Sequence, residues 1–209
     1  MNYLKGIVEL FTTKNKENFK KGALSEILLF KQNFKTSTTH LVIADIGANI
    51  GYFSESFLHH YPNSTVHGYD PHPIHIQELL KINDARFVLH PYGLFNSNGK
   101  FTIGMKNDGR ANNGTFGIFD NLDSVEVDFK NADEEQIRPH IVKLDVEGSE
   151  SYILECANFF SETQAILVEL IHQDNFGLNS KVIENLKKLG FKYSLRVGRN
   201  DQVWVKNVE

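Results

Sequence analysis

Cysteine is almost missing from this chain of 209 residues: Cys156 is the only one. That excludes an intrachain disulfide and any multi-cysteine zinc site. Its place in SYILECANFF (151–160) marks it as a buried structural thiol. Long apolar runs are missing too, since none approaches the roughly 20 residues that span a bilayer. The amino end, MNYLKGIVELF, lacks the apolar core and cleavage pattern of a signal peptide, so a cytoplasmic protein, or a cytoplasmic segment of a larger one, is expected. Basic charge is in short supply: 22 Lys and Arg against 26 Asp and Glu leave a net charge of -4. Such a balance argues against a nucleic acid backbone as the main partner. The run KNKENFKK at 14–21 is the one local basic cluster, and it reads as a solvated helix face. There is no internal repeat and no low-complexity tail.

What is present is an ordinary globular composition, with 41% hydrophobic and 23% charged residues, enough for one domain with a proper core. Residues 1–40 read as an N-terminal helical cap, with helices near 3–11 and 22–34; Leu24, Ile27, Leu28 and Phe34 give the second an apolar face. The main domain is expected over 41–209. LVIADIG (41–47) has the look of a buried parallel strand, followed by a helix carrying Phe53, Phe57 and Leu58. STVHGYD, PIHIQELLKI and RFVLH continue the alternation. β-α-β-α-β predicts an α/β fold with a doubly wound parallel sheet. Further on, Asn96-Ser97-Asn98-Gly99 predicts a turn into a strand, and VEVDF (125–129) predicts another. IVKLDVEG, a helix near 150–158, AILVEL (165–170) and a helix near 179–189 resume the α/β rhythm. The last stretch alternates on both sides of Gly198-Arg199-Asn200-Asp201, an antiparallel hairpin.

IVKLDVEGSE (141–150) poses the sharpest question. Val142, Leu144 and Val146 alternate with Lys143, Asp145 and Glu147, so one face of the strand is charged. A half-exposed edge strand tolerates that cheaply; a central strand does not, because each unpaired buried charge is costly.

The turn after the first strand is Asp45-Ile46-Gly47-Ala48-Asn49-Ile50-Gly51. It is neither GxGxxG nor a P-loop. Asp45 stands where a pyrophosphate would be repelled, which suits a cationic or hydroxyl-bearing ligand. Asp70 closes the second strand, where a carboxylate accepts hydrogen bonds from ribose hydroxyls. A ribose, no pyrophosphate and a positive group describe S-adenosylmethionine. Helix capping by the two acids is the bland alternative.

DIGANIGYFS, YDPHP and IVKLDVEGSE together resemble the FkbM family of S-adenosylmethionine-dependent methyltransferases, over roughly residues 40–190. The resemblance implies a Rossmann-like class I methyltransferase fold: a seven-stranded, mostly parallel sheet in the order 3-2-1-4-5-7-6, an antiparallel last strand, and helices on both faces. IVKLDVEG is then strand four, at the centre. It implies cofactor contacts at Asp45, Gly47, Asn49, Gly51 and Asp70, with Ala48 and Pro71 beside them. Tyr52 and Phe53 follow the loop, Phe53 as core, and Gly93 and Leu94 are weaker candidates near the adenine. The implied activity is O-methylation of a sugar hydroxyl in a glycan or glycoconjugate. A polyketide or other small metabolite is the alternative acceptor, and a non-catalytic cofactor-binding partner of another enzyme is the reading from a different class. Fusion to, or action beside, glycan-building enzymes is the expected partnership. An NAD-dependent oxidoreductase is opposed by the glycine spacing and by Asp45.

Methyl transfer from a sulfonium to a hydroxyl needs alignment and the loss of one proton. Asp145 and Glu147 at the end of strand four, and Glu169 with His172 after strand five, are the candidate catalytic groups. Either Asp145 or His172 is expected as the base, with Glu147 and Glu169 orienting substrate or cofactor. A metal-assisted version would use Asp145, Glu169 and His172 as ligands of Mg²⁺. For Lys143 a salt bridge with a neighbouring acid is favoured over catalysis. In the Gly/Asn-rich segment 106–117, Arg110, Asn112 and Asn113 offer donors to a polyhydroxyl acceptor; a plain solvated connection is the other reading. His59, His60, His67, His72, His75, His90 and His140 show no metal-like spacing with acids or each other, and most are expected at the surface or in loops.

Overall fold

The computed structural model describes residues 13–104, 124–146, 148–170, 177–197 and 201–206. The expected N-terminal helix at 3–11, the segment 106–117, Glu147 and His172 lie outside the described residues. Helix α1 spans Thr13–Asn33, starting earlier than the apolar pattern alone suggests. Its basic part, residues 17–21, is exposed, and Lys20 pairs with Glu55 at 2.7 Å.

Then follow β1 (Leu41–Ile46), α2 (Tyr52–His60), β2 (Ser64–Tyr69), α3 (Pro73–Leu79) and β3 (Phe87–His90). β4 (Gly93–Phe95), β5 (Gly99–Gly104) and β6 (Ser124–Asn131) come next. The chain continues with β7 (Ile141–Leu144), α4 (Glu150–Ile153), β8 (Ala165–Glu169), α5 (Leu178–Lys188), β9 (Lys192–Val197) and β10 (Asp201–Val205). Seven strands form one sheet in the order β3-β2-β1-β7-β8-β10-β9. β1, β2, β3, β7 and β8 pair in parallel, whereas β10 runs antiparallel to both β8 and β9. This is the expected order, with the hairpin at its edge and β7 next to β1 in the middle.

Two points differ from expectation. β4, β5 and β6 form a separate three-stranded sheet, order β4-β6-β5, in which the turn at 96–98 joins strands that both pair with β6 and not with each other. The helix foreseen near 150–158 ends at Ile153 and gives way to turns, because Leu154, Cys156, Phe159 and Phe160 all point into the core from irregular backbone.

The period of two along the central strands makes two cores. Ala44, Ile46, Tyr69, Val142, Leu144, Ile166 and Val168 pack on one face with Ile153 of α4 and Val182 and Leu186 of α5. Leu41, Ile43, Val66, Ile141 and Leu167 pack on the other with Ile27 and Phe30 of α1, Phe34 just past its end, and Phe57 and Leu58 of α2. Cys156 is buried, as its apolar setting suggested. The charged face of β7 therefore lies under α1 and α2, and every residue of that strand is buried.

Candidate active site

The turn after β1 is shaped by three left-handed residues, Gly47 (φ 82°), Asn49 (φ 52°) and Gly51 (φ 90°), a conformation that costs an ordinary side chain energy and a glycine almost none. The amides of Gly47 and Ala48 both donate to the carbonyl of Tyr69, at 2.9 and 3.0 Å, which binds the turn to the end of β2. A Cβ on Gly47 would overlap the carbonyl oxygen of Asp145. The turn and the end of β7 thus touch through bare backbone.

Asp70, just past β2, is buried with 5% exposure. Its Oδ2 accepts the Asn49 N–H at 2.8 Å, and its Oδ1 accepts the His72 N–H at 2.9 Å and meets His75 Nδ1 at 3.0 Å. His72 and His75 are buried, not superficial: His72 caps α3, accepting from the Ile74 N–H at 3.2 Å, and burial pushes its imidazole down to about 4. Three other histidines also find hydrogen-bond partners. His67 Nδ1 lies 2.9 Å from His90 Nε2, and His140 Nδ1 accepts the Val42 N–H at 2.9 Å.

Asp45 is 1% exposed and its Oδ2 accepts from Ser54 Oγ on α2 at 2.6 Å. Burial raises it to about 6, against the Ser54 hydrogen bond and the charge of Lys143. In register, Asp45 faces Lys143. Lys143, 1% exposed, answers the question raised by its strand: its Nζ lies 3.1 Å from Asp145 Oδ2 and 2.9 Å from Asp201 Oδ1, and 4.8 Å from the ring centre of Phe53. Burial opposes its charge, but the charges of Asp145 and Asp201 outweigh that and hold the ammonium protonated well above its ordinary range.

Asp145 and Glu169 share the next layer. Burial works against the Asp145 carboxylate, yet Lys143 and a hydrogen bond from Glu169 pull it below its usual range. Burial first, and then the Asp145 charge, push Glu169 far up, so at neutral pH Glu169 carries the proton and Asp145 the charge. The Asp145 side chain retains 26% exposure against 1% for Lys143, and Glu169 is half-buried as well, so solvent or a ligand reaches both acids but not the ammonium.

Three participants escaped the sequence reading. Asp201 pairs in register with Glu169 and so brings the hairpin to Lys143. Glu26 comes from α1: burial, and then the charge of Asp201, raise it to about 7, and its Oε2 is buried without a hydrogen-bond partner among the described residues. Glu150, 3% exposed, clamps the turn after β7 by accepting from the Val146 N–H at 3.0 Å and the Gly148 N–H at 2.9 Å. A charged residue opening a short helix carries no sequence signal for that role.

Other candidates are placed more simply. Pro71 is half-buried and Ala48 buried beside Asn49. Tyr52 opens α2 with a buried Oη lacking a partner among the described residues, and burial raises its phenol. Gly93 and Leu94 take packing positions in β4, Gly93 against the Phe129 ring and Leu94 in the core. Arg110, Asn112 and Asn113 lie outside the described residues. Among the described residues no group of three or more His, Cys, Asp or Glu side chains is arranged to hold a metal ion, and no helix is long and apolar enough to cross a membrane.

A sequence family described as the methyltransferase FkbM domain matches residues 45–193. Among solved structures, the chain is similar to the methyltransferase FkbM of Methylobacillus flagellatus, at 17% identity and a TM-score of 0.62, over 87% of this chain and 47% of that one. It thus spans about half the length of that protein. It is also similar to the precorrin-6y C5,15-methyltransferase of Geobacter metallireducens, at 15% identity and a TM-score of 0.54, over 90% of this chain and 87% of that one. The magnesium protoporphyrin IX methyltransferase of Synechocystis PCC 6803, solved with bound SAM, aligns at 8% identity and a TM-score of 0.51, over 92% of this chain and 80% of that one. At these identities the likeness is one of fold. No curated protein sequence matches the chain.

Proposed function

The chain belongs to the FkbM methyltransferase domain family, and on that premise we propose that it is an S-adenosylmethionine-dependent O-methyltransferase whose acceptor is a sugar hydroxyl of a glycan or glycoconjugate. The acceptor class rests on the family resemblance. The observation that carries the chemistry is the charge at the carboxyl edge of the sheet: Glu26, Asp45, Asp145, Glu169 and Asp201 act electrostatically on one another around the single ammonium of Lys143. Such an excess of acid favours a cationic ligand.

The residues fit S-adenosylmethionine. The left-handed turn Gly47–Gly51 folds tightly against the ends of β2 and β7, Asp70 offers a fixed carboxylate to a ribose, and Tyr52 holds a buried hydroxyl beside the turn that has no partner among the described residues. Gly47, Ala48, Asn49, Gly51 and Pro71 would line the cofactor, and Gly93 and Leu94 would support its adenine side. The bound cofactor supplies a methyl group on a positively charged sulfur.

Asp145 and Glu169 handle the proton. The Asp145 carboxylate, held in place by Lys143 and by the Glu169 hydroxyl, accepts the proton that the acceptor oxygen releases as its new bond to carbon forms. A weak base suffices, because an oxygen gaining a third bond becomes strongly acidic. His172 is the alternative base, and Glu147, Arg110, Asn112 and Asn113 are assigned to acceptor binding. A Mg²⁺ ion is not required on this account, since Lys143 already supplies a cation to the two aspartates.

Labelled S-adenosylmethionine with a panel of glycans, polyketides and small hydroxylated metabolites tests the proposal. Label on a sugar oxygen is the expected outcome. Label only on polyketides or metabolites would replace the acceptor class, and binding of S-adenosylhomocysteine without transfer to any hydroxyl acceptor would favour a non-catalytic module.

A further inference from the structure

Asp70 is more heavily engaged within the fold than a ribose-binding acid needs to be. A carboxylate offers about four acceptor positions. Among the described residues, the His72 N–H, His75 Nδ1 and the Asn49 N–H occupy three of them, at 2.9, 3.0 and 2.8 Å. The remaining position is on Oδ2. His75 is as buried as Asp70, both at 5%, and reaches back five residues from the first turns of α3 to Oδ1.

The two histidines do different work. His72 accepts at Nδ1 from the Ile74 N–H, which places its proton on Nε2, and its ring is held 4.7 Å from that of His75. His75 faces a carboxylate oxygen through Nδ1, so that nitrogen must bear the proton. His75 is therefore the one side-chain donor to Asp70 among the described residues, the other two being backbone amides.

We propose that His75 is a positioning residue for cofactor recognition: its Nδ1–H holds the Asp70 carboxylate in one rotamer, leaving the last Oδ2 position for a hydroxyl of the ribose. This rests on the reading of Asp70 as the ribose-binding acid. The backbone amides hold one oxygen each, and the imidazole adds a second donor on Oδ1 that pins the carboxylate from the side-chain layer. Supporting residues of this kind act through the group that touches the ligand.

The test compares His75→Leu, which keeps bulk and loses the donor, with His75→Asn, whose amide N–H stands close to the place of Nδ1. Calorimetry would use S-adenosylhomocysteine and its analogue lacking both ribose hydroxyls. For His75→Leu, affinity for S-adenosylhomocysteine should fall about tenfold, the scale of one charge-assisted hydrogen bond, while affinity for the dideoxy analogue stays put and His75→Asn recovers most of the loss. Equal loss for both ligands, or none, overturns the inference. If His75→Leu does not fold, ¹⁵N-histidine spectra of the wild-type protein decide: the His75 Nδ1–H signal should move on adding S-adenosylhomocysteine and not the dideoxy analogue, and an unmoved signal overturns it. Failure of the wild-type protein to bind S-adenosylhomocysteine would instead count against the proposed function.

Discussion

Gly47 and Asp145 meet backbone to backbone: the space a side chain on Gly47 would need is filled by the carbonyl oxygen of Asp145. The turn proposed to hold the cofactor and the end of β7 proposed to handle the proton are therefore one structural unit, tied also by the Asp145 N–H donating to the Ile46 carbonyl at 3.0 Å.

Gly47→Ala should accordingly damage both. The left-handed backbone costs an alanine about 1–2 kcal/mol, and displacing packed backbone adds about 1–3 kcal/mol. Urea denaturation should show a loss of about 2–5 kcal/mol on those two grounds, together with weakened S-adenosylhomocysteine binding. Wild-type stability would contradict the close approach.

Lys143→Met leaves Asp145 and Asp201 without their shared cation in a buried setting. Breaking a buried pair by removing one partner costs about 3–5 kcal/mol. The expected result is a large stability loss that Lys143→Met/Asp201→Asn partly reverses, because the double variant removes one stranded charge. A double variant no more stable than Lys143→Met would sink the pairing.

How much of this was legible beforehand depends on the range of the contact. The glycine turn, Asp70 and the alternation in IVKLDVEGSE are local, with periods and spacings that speak for themselves, whereas the central place of β7 followed only from the strand order that the family resemblance implies. The partners of Lys143 were only half legible. Asp145 is two residues away, but Asp201 reads as part of a hairpin turn and becomes a partner only because antiparallel pairing sets it opposite Glu169. Glu26 reads as a polar position on an amphipathic helix, and nothing in its neighbours in sequence reveals an oxygen sealed under that helix. The burial of His72 and His75 leaves no mark in the sequence, because the contact of His75 with Asp70 reaches back to the end of β2. The second sheet was missed because β4 is three residues long and pairs in parallel with a strand about 35 residues on.

The pH dependence of folding should carry the mark of Glu26. Its folded value of about 7 stands above its ordinary 4.5, so between those values the native state binds the extra proton. Stability from this group is present in full below about 4.5 and is lost as pH rises through 7. Glu26→Gln should flatten that part of the stability profile and be the more stable form at pH 8. An unchanged slope would show that Glu26 titrates as an exposed acid.

Asp145→Asn and Glu169→Gln should separate binding from turnover. Loss of a positioned proton acceptor costs about 10²- to 10⁴-fold in rate, so Asp145→Asn should fall by that much with S-adenosylhomocysteine affinity retained. Glu169→Gln should fall less, since a glutamine amide can still donate to Asp145. Normal turnover in Asp145→Asn moves the base to His172, and normal turnover there and in His172→Ala as well would remove both candidates. EDTA should leave the wild-type rate unchanged; a loss restored by Mg²⁺ would bring in a metal ion.

Calorimetry of the wild-type chain with S-adenosylmethionine, S-adenosylhomocysteine and NAD tests the central claim most directly. Saturable one-to-one binding of both sulfur ligands and none of NAD is the expected result, with Asp70→Asn weakening both. Tight binding of NAD with neither sulfur ligand bound would contradict it.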